Sequence, residues 1–140
     1  MSISLPKLNE RLIAKVLEHI KAFPDSYNQN IISEETEVTK RTPCGAIGCF
    51  GGWTVLLNAP KKERPILASS EVDLSEAGEL LGLTRKEQDY LFKGASGNPR
   101  KDYKTILQRL DNIRAAREVA AQRGIDNFSY NTSDGMTLSY

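Results

Sequence analysis

A chain of 140 residues, 39% hydrophobic and 26% charged, has the size of one globular domain and too much apolar content for disorder. Nineteen basic residues against eighteen acidic ones leave a formal charge of +1, which supplies no overall pull toward nucleic acid or anionic membrane. Two cysteines exclude a disulfide framework, no stretch reaches the ~20 apolar residues of a membrane span, and the first residues lack a secretory pattern. The expected address is the cytoplasm.

Leu8, Leu12, Ile13, Val16, Leu17 and Ile20 recur at three- and four-residue steps and predict a helix, with Ser4 or Asn9 as its cap and Phe23-Pro24 as its end. Asp25 to Pro43 is polar and reads as loop, with a short extended piece around Glu37 to Lys40. From Cys44 to Leu57, Cys44, Gly48 and Gly52 fall four apart, while Ile47, Phe50, Val55, Leu56 and Leu57 cover the other sides. Apolar on nearly every side, with one strip of small residues, this segment predicts a buried central helix over Gly45–Leu57 that a second helix backbone approaches closely. Asn58-Ala59-Pro60 stops it, and Lys61 to Val72 reads as a charged loop.

Leu74, Ala77, Leu80 and Leu81 predict a short helix, capped by Asp73 or Ser75 and closed by Gly82. Thr84 with Glu87 three residues on is a capping box for the next helix, which ends near Tyr90-Leu91-Phe92. Gly94 to Pro99 is loop. Tyr103, Ile106, Leu107, Leu110, Ile113, Ala116 and Ala120 then give a long helix over Asp102–Arg123, ended by Gly124. Residues 125–140 form a polar tail, expected to fray even though Phe128, Tyr130 and Leu138 offer it docking points. The expectation is thus an all-α fold, a compact orthogonal bundle of about five helices over residues 1–124, with the glycine-rich helix at its centre.

Few residues suggest chemistry. Cys44, Cys49 and the single histidine, His19, are too few for a structural zinc site. On one helix the two cysteines stand about 7.5 Å apart by axial rise, beyond disulfide reach. A nucleophilic cysteine needs His19 beside it as base, and the alternative is a pair of small buried thiols. The glycines match neither phosphate-loop pattern, although a helix N-terminus near Gly45 would present amides to an anion. Trp53 is either core or a ligand platform. Residues 75–92 resemble a helix-turn-helix, but Gln88 stands where such a motif buries an aliphatic side chain, and Glu87 and Asp89 set negative charge near phosphate. From Arg100 to Arg123 seven basic residues face three acidic ones; this stripe is either a solvated face or a nucleic-acid surface, and Arg114 and Arg117 flank the apolar stripe, where their stems can cover core edges.

Phe23-Pro24-Asp25-Ser26-Tyr27-Asn28-Gln29, Cys44-Gly45-x-x-Gly48-Cys49-x-Gly51-Gly52-Trp53 and Ala77-x-x-Leu80-Leu81-Gly82-Leu83-Thr84 with Leu91-Phe92 resemble a loosely defined group of small bacterial and phage proteins. The core of that group reads Cys-Gly-Thr-x-x-Cys-Ile-Ala-Gly-Trp-Ala. This chain departs from it with Ala46 in place of threonine and Gly51 in place of alanine. The resemblance spans residues 8–92 and implies a compact helical fold in an intracellular or viral setting; it brings no mechanism.

The leading expectation is a non-enzymatic binding, adaptor or regulatory protein with another protein as partner. No cofactor, metal or membrane is expected. Its candidate surface residues are Cys44, Gly45, Cys49, Trp53, Arg109, Arg114 and Arg117. The alternatives are a DNA-binding regulator using residues 77–92 with the basic last helix, and a small ligand-binding protein or enzyme built on Cys44 and Cys49.

Overall fold

The computed structural model describes residues 5–70, 72–93, 96–123 and 129–140. Its described elements are six α-helices and two small two-stranded antiparallel sheets, so the fold is mainly helical rather than all-α. Helix α1 (Glu10–Ala22) buries Leu12, Ile13, Val16 and Ile20, the stripe read from its periodicity. Its cap is Asn9, whose side chain accepts from the Leu12 amide. The same residue donates its backbone N–H to Leu81 and its side-chain amide to Leu80, fastening the start of α1 to a distant helix.

The predicted Gly45–Leu57 helix divides in two. Strand β2 (Ala46–Gly48) pairs with β1 (Ser33–Glu35), and helix α2 (Phe50–Asn58) begins only after Cys49. The glycines cause the break. Gly45 sits at φ +65°, outside the right-handed helical region, and glycine at 48 removes helical propensity where the backbone is already extended. The extended piece expected at 37–40 lies instead at β1. From Phe50 to Leu57 every residue of α2 is buried, and α1, α3 (Arg64–Ser69) and α4 (Leu74–Leu81) pack around it. At roughly 1.5–3 kcal/mol for each large side chain removed from water, Phe50, Trp53, Leu56 and Leu57 make this short helix the apolar centre. The close approach over Gly48 and Gly52 is real, but what approaches is the Ile32 carbonyl at the entrance to β1, not a helix.

Lys61 to Val72, expected as loop, holds a 3-10 turn (Lys61–Glu63) followed by α3. Pro65 is tolerated there because amides of the first helical turn have no intrahelical hydrogen bond to lose. Helices α4 and α5 (Arg85–Phe92) follow the reading closely. Asp73 caps α4, Gly82 closes it at φ +77°, and both halves of the Thr84–Glu87 capping box form. Helix α6 (Pro99–Arg123) starts earlier than Asp102, because Asn98 accepts the Arg100 and Lys101 amides and Pro99 fits the first helical position.

Residues 129–140 do not fray. Strands β3 (Ser129–Asn131) and β4 (Thr137–Ser139) form a hairpin that sinks Leu138 into the core. Its polar residues have partners. The Tyr90 hydroxyl donates to Asp134, the Asn112 amide donates to Tyr90, and Ser133 donates to Asn112. Gly94, Ala95, Gly124 and Phe128 lie outside the described residues.

Candidate functional site

Most residues singled out from the sequence turn inward. Cys49 caps α2: its sulfur accepts from the Gly52 amide at 3.3 Å, its thiol faces the Ile32 carbonyl at 3.8 Å, and burial pushes its pKa up. The Phe50 amide donates to Gln29, so the start of α2 spends its first donors inside the protein and offers them to no anion. Trp53 is fully buried, with its indole N–H on the Ser26 carbonyl at 2.7 Å; it is core and not surface. Gly45 is buried in the turn between Val38 and Pro65. Cys44, also buried, faces a cation, Arg64 Nη1 at 3.6 Å.

Three arginines of α6 are equally committed. Arg117 grips Glu87 through two hydrogen bonds of 2.6 and 2.8 Å and also donates to the Gly82 and Pro6 carbonyls. Glu87 is wholly buried; the Thr84 amide and the Tyr140 hydroxyl also donate to its carboxylate, so it never faces outward from α5. Arg114 clasps Glu10 and Asp111, and its hydrogen bonds hold the Glu10 carboxyl below the usual range. Arg109 lies over the Tyr90 ring, pairs with Asp134 at 3.5 Å and donates to the Lys93 carbonyl. The middle of the basic stripe is therefore internal wiring, while Arg100, Lys101, Lys104 and Arg123 are exposed. Gln88, which counted against a helix-turn-helix, packs its side chain onto Gly78.

Two grooves flank the C-terminal half of α1. The first, about 260 Å³, has Ile20 and Tyr27 as floor and Pro24, Pro99 and Tyr103 as walls, with the cations of Lys21 and Arg100 on its rim. It is the size of one large side chain and below the ~300 Å³ where small-molecule pockets begin. The start of α6 and the 3-10 turn after α1 (Pro24–Ser26) bring these residues together. The buried Tyr27 is pinned by its hydroxyl, which donates to Gln29 at 2.8 Å.

The second groove is wider and open, about 760 Å³, between α1 and the corner joining α2 to α3. Lys15, Glu18, His19, Lys21, Leu57 and Arg64 line it. Lys15 Nζ donates to the Leu57 carbonyl at 3.1 Å and Arg64 Nε to Leu56 at 2.9 Å, so two cations sit on carbonyls of the last turn of α2. His19 packs on Trp53 with ring centroids 4.0 Å apart. Burial, helped by the Arg64 charge, lowers its pKa from 6.5 to about 4, and its Nε2 is buried without a hydrogen-bond partner.

No match ties the chain to a known protein. Protein-family models, curated proteins and solved structures were compared with it, and none resembles it significantly. Among the described residues no group of three or more His, Cys, Asp or Glu side chains is placed to hold a metal, and no helix is long and apolar enough to cross a membrane.

Neither groove was assembled from the sequence. Lys15 and His19, one helical turn apart on α1, were the available signal for the second. Arg64 was hidden in a segment read as loop, and Tyr27 and Tyr103 have nothing local to join them.

Proposed function

We propose that this chain is a non-enzymatic binding or adaptor module that docks an acidic segment of another protein by seating one apolar side chain among Ile20, Pro24, Tyr27, Pro99 and Tyr103. The observation that carries this reading is the combination of an almost wholly apolar groove of side-chain size with cations at its rim, Lys21 and Arg100. Prolines hold two walls rigid, which lowers the ordering cost of association, and tyrosine is among the residues that concentrate binding energy. Two arginines of the last helix, Arg114 and Arg117, are engaged within the chain, and burial holds the Cys49 thiol in its protonated form, which weighs against the other two readings. The proposed setting is the bacterial cytoplasm or a phage-infected cell, in keeping with two unpaired cysteines.

Selection of peptides from a random library, with the Tyr103→Glu variant as counter-target, tests the reading. Acidic sequences carrying one aromatic or leucine anchor are expected to enrich. A labelled example should lose at least about tenfold in affinity, 1.4 kcal/mol, with Arg100→Glu, and weaken as salt rises. Enrichment of peptides that bind Tyr103→Glu equally well, or salt-dependent binding to duplex DNA with no acidic peptide selected, would overturn it.

A further inference from the structure

Four arginines among the described residues are partly buried: Arg64, Arg109, Arg114 and Arg117. Three of them have carboxylates, at Asp134, at Glu10 with Asp111, and at Glu87. Arg64 alone has none among the described residues. A guanidinium has five N–H donors; Arg64 places one on the Leu56 carbonyl and one on the Cys44 sulfur. Arg64 lines the second groove, where Lys15 and Lys21 add two further cations.

Capping of α2 does not absorb this charge. A helix C-terminus carries about −0.5 charge, and Glu18 is the one carboxylate in the groove wall. Three cations against these leave a surplus of roughly +1.5 at one concave place. His19, neutral there, leaves a ring nitrogen buried without a partner beside the same arginine.

We infer that the groove between α1 and the α2–α3 corner is an oxyanion site, in which Arg64, flanked by Lys15 and Lys21, takes a carboxylate or phosphoryl group of a ligand. The planar fork of arginine matches both anions, and a cation already fixed by a backbone carbonyl loses little freedom on binding. The site stands apart from the apolar groove, sharing only Lys21 with it, and does not depend on the peptide-docking reading.

The chain carries its own reporters: its one histidine lines this groove, and its one tryptophan lies behind it in tilted ring contact. The intact protein at pH 7 is titrated with inorganic phosphate, with acetate and with chloride at matched ionic strength. The His19 ring signals and the Arg64 side-chain N–H are followed by NMR, and Trp53 by its fluorescence. Saturable one-site shifts are expected with an oxyanion and not with chloride. In saturating phosphate the His19 titration midpoint should rise part of the way from about 4, because the anion offsets the Arg64 charge while burial, the larger cause, stays in place. Arg64→Lys should weaken binding at least about tenfold and Lys15→Gln less. Saturation by phosphate alone assigns a phosphoryl ligand; equal saturation by acetate assigns a carboxylate. Shifts in the wild-type protein that stay linear and equal those in chloride would overturn the inference whether or not the Arg64 variant folds. Unchanged affinity in a folded Arg64→Lys variant would do the same.

Discussion

A methyl carbon added at Gly52 would lie 1.7 Å from the carbonyl oxygen of Ile32 and 2.9 Å from its carbon. Both are backbone atoms, so relief requires moving the approach to β1 or the first turn of α2, and each is part of the core. Helix propensity favours alanine by about 1 kcal/mol, whereas overpacking costs about 1–3 kcal/mol and more where backbone must move. Taking the upper end of that overpacking range, we expect Gly52→Ala to destabilise by roughly 2 kcal/mol net. With a urea m-value of about 1–3 kcal/mol/M, the unfolding midpoint should fall by roughly 1–2 M. Gly48→Ala meets the same oxygen at 2.8 Å and should cost less. Gly51→Ala meets the end of the Leu74 side chain at 2.5 Å, which can swing away, so it should fall within about 1 kcal/mol of wild type. Urea unfolding followed by far-UV circular dichroism ranks the three. A Gly52→Ala midpoint at or above wild type would refute the close backbone approach.

Arg117→Met strands Glu87 as a buried charge and should cost about 3–5 kcal/mol, with Glu87→Leu added in the same chain recovering part of the loss; chemical unfolding of the single and double variants measures both. His19 is neutral in the fold at pH values where it is protonated in the unfolded chain. Its contribution is therefore complete above pH 6.5 and is lost as pH falls from 6.5 to about 4. The stability difference between wild type and His19→Gln should accordingly be flat above pH 6.5 and change only below it, as urea midpoints across that range would show. Leu138→Ala should cost about 2–4 kcal/mol and expose the β3–β4 hairpin to limited proteolysis; a hairpin as resistant as the wild type would mean that it is not anchored there.

Where local chemistry decides structure, the sequence was readable. The stripe of α1, the capping box at Thr84 and the left-handed glycine at 82 each act within a few residues and stand where they were expected. The centrality of Trp53 and its neighbours was legible too, because a segment apolar on all sides has nowhere else to go. What failed depended on distant partners. Whether Gly48 belongs to a helix or a strand turns on Ser33, its pairing partner, and nothing near Gly48 shows that. The polar tail was expected to fray because Asp134, Ser133 and Tyr140 find Tyr90, Asn112 and Glu87 only after the chain has folded back. The stripe of arginines on α6 was visible, but of its carboxylates only Asp111 is on the same helix, while Glu10, Glu87 and Asp134 lie on other elements or beyond it, so most of its pairing was hidden. Both grooves belong to this second class.

The Glu87–Arg117 pair also bears on how the chain folds in time. Its ring of contacts draws on Pro6, Gly82, Thr84 and Tyr140, which span almost the whole described sequence. Contacts of such separation are slow to close, since loop entropy opposes them until much of the chain has collapsed. During synthesis, a chain that has emerged only as far as α5 holds the Glu87 carboxylate without its counter-ion. It gains the cation when α6 follows and the last hydroxyl donor only when Tyr140 arrives. Sealing this pair is thus a late step, and a ribosome-bound intermediate should keep the α5 end of the protein open to water while α1 and α2 are already packed.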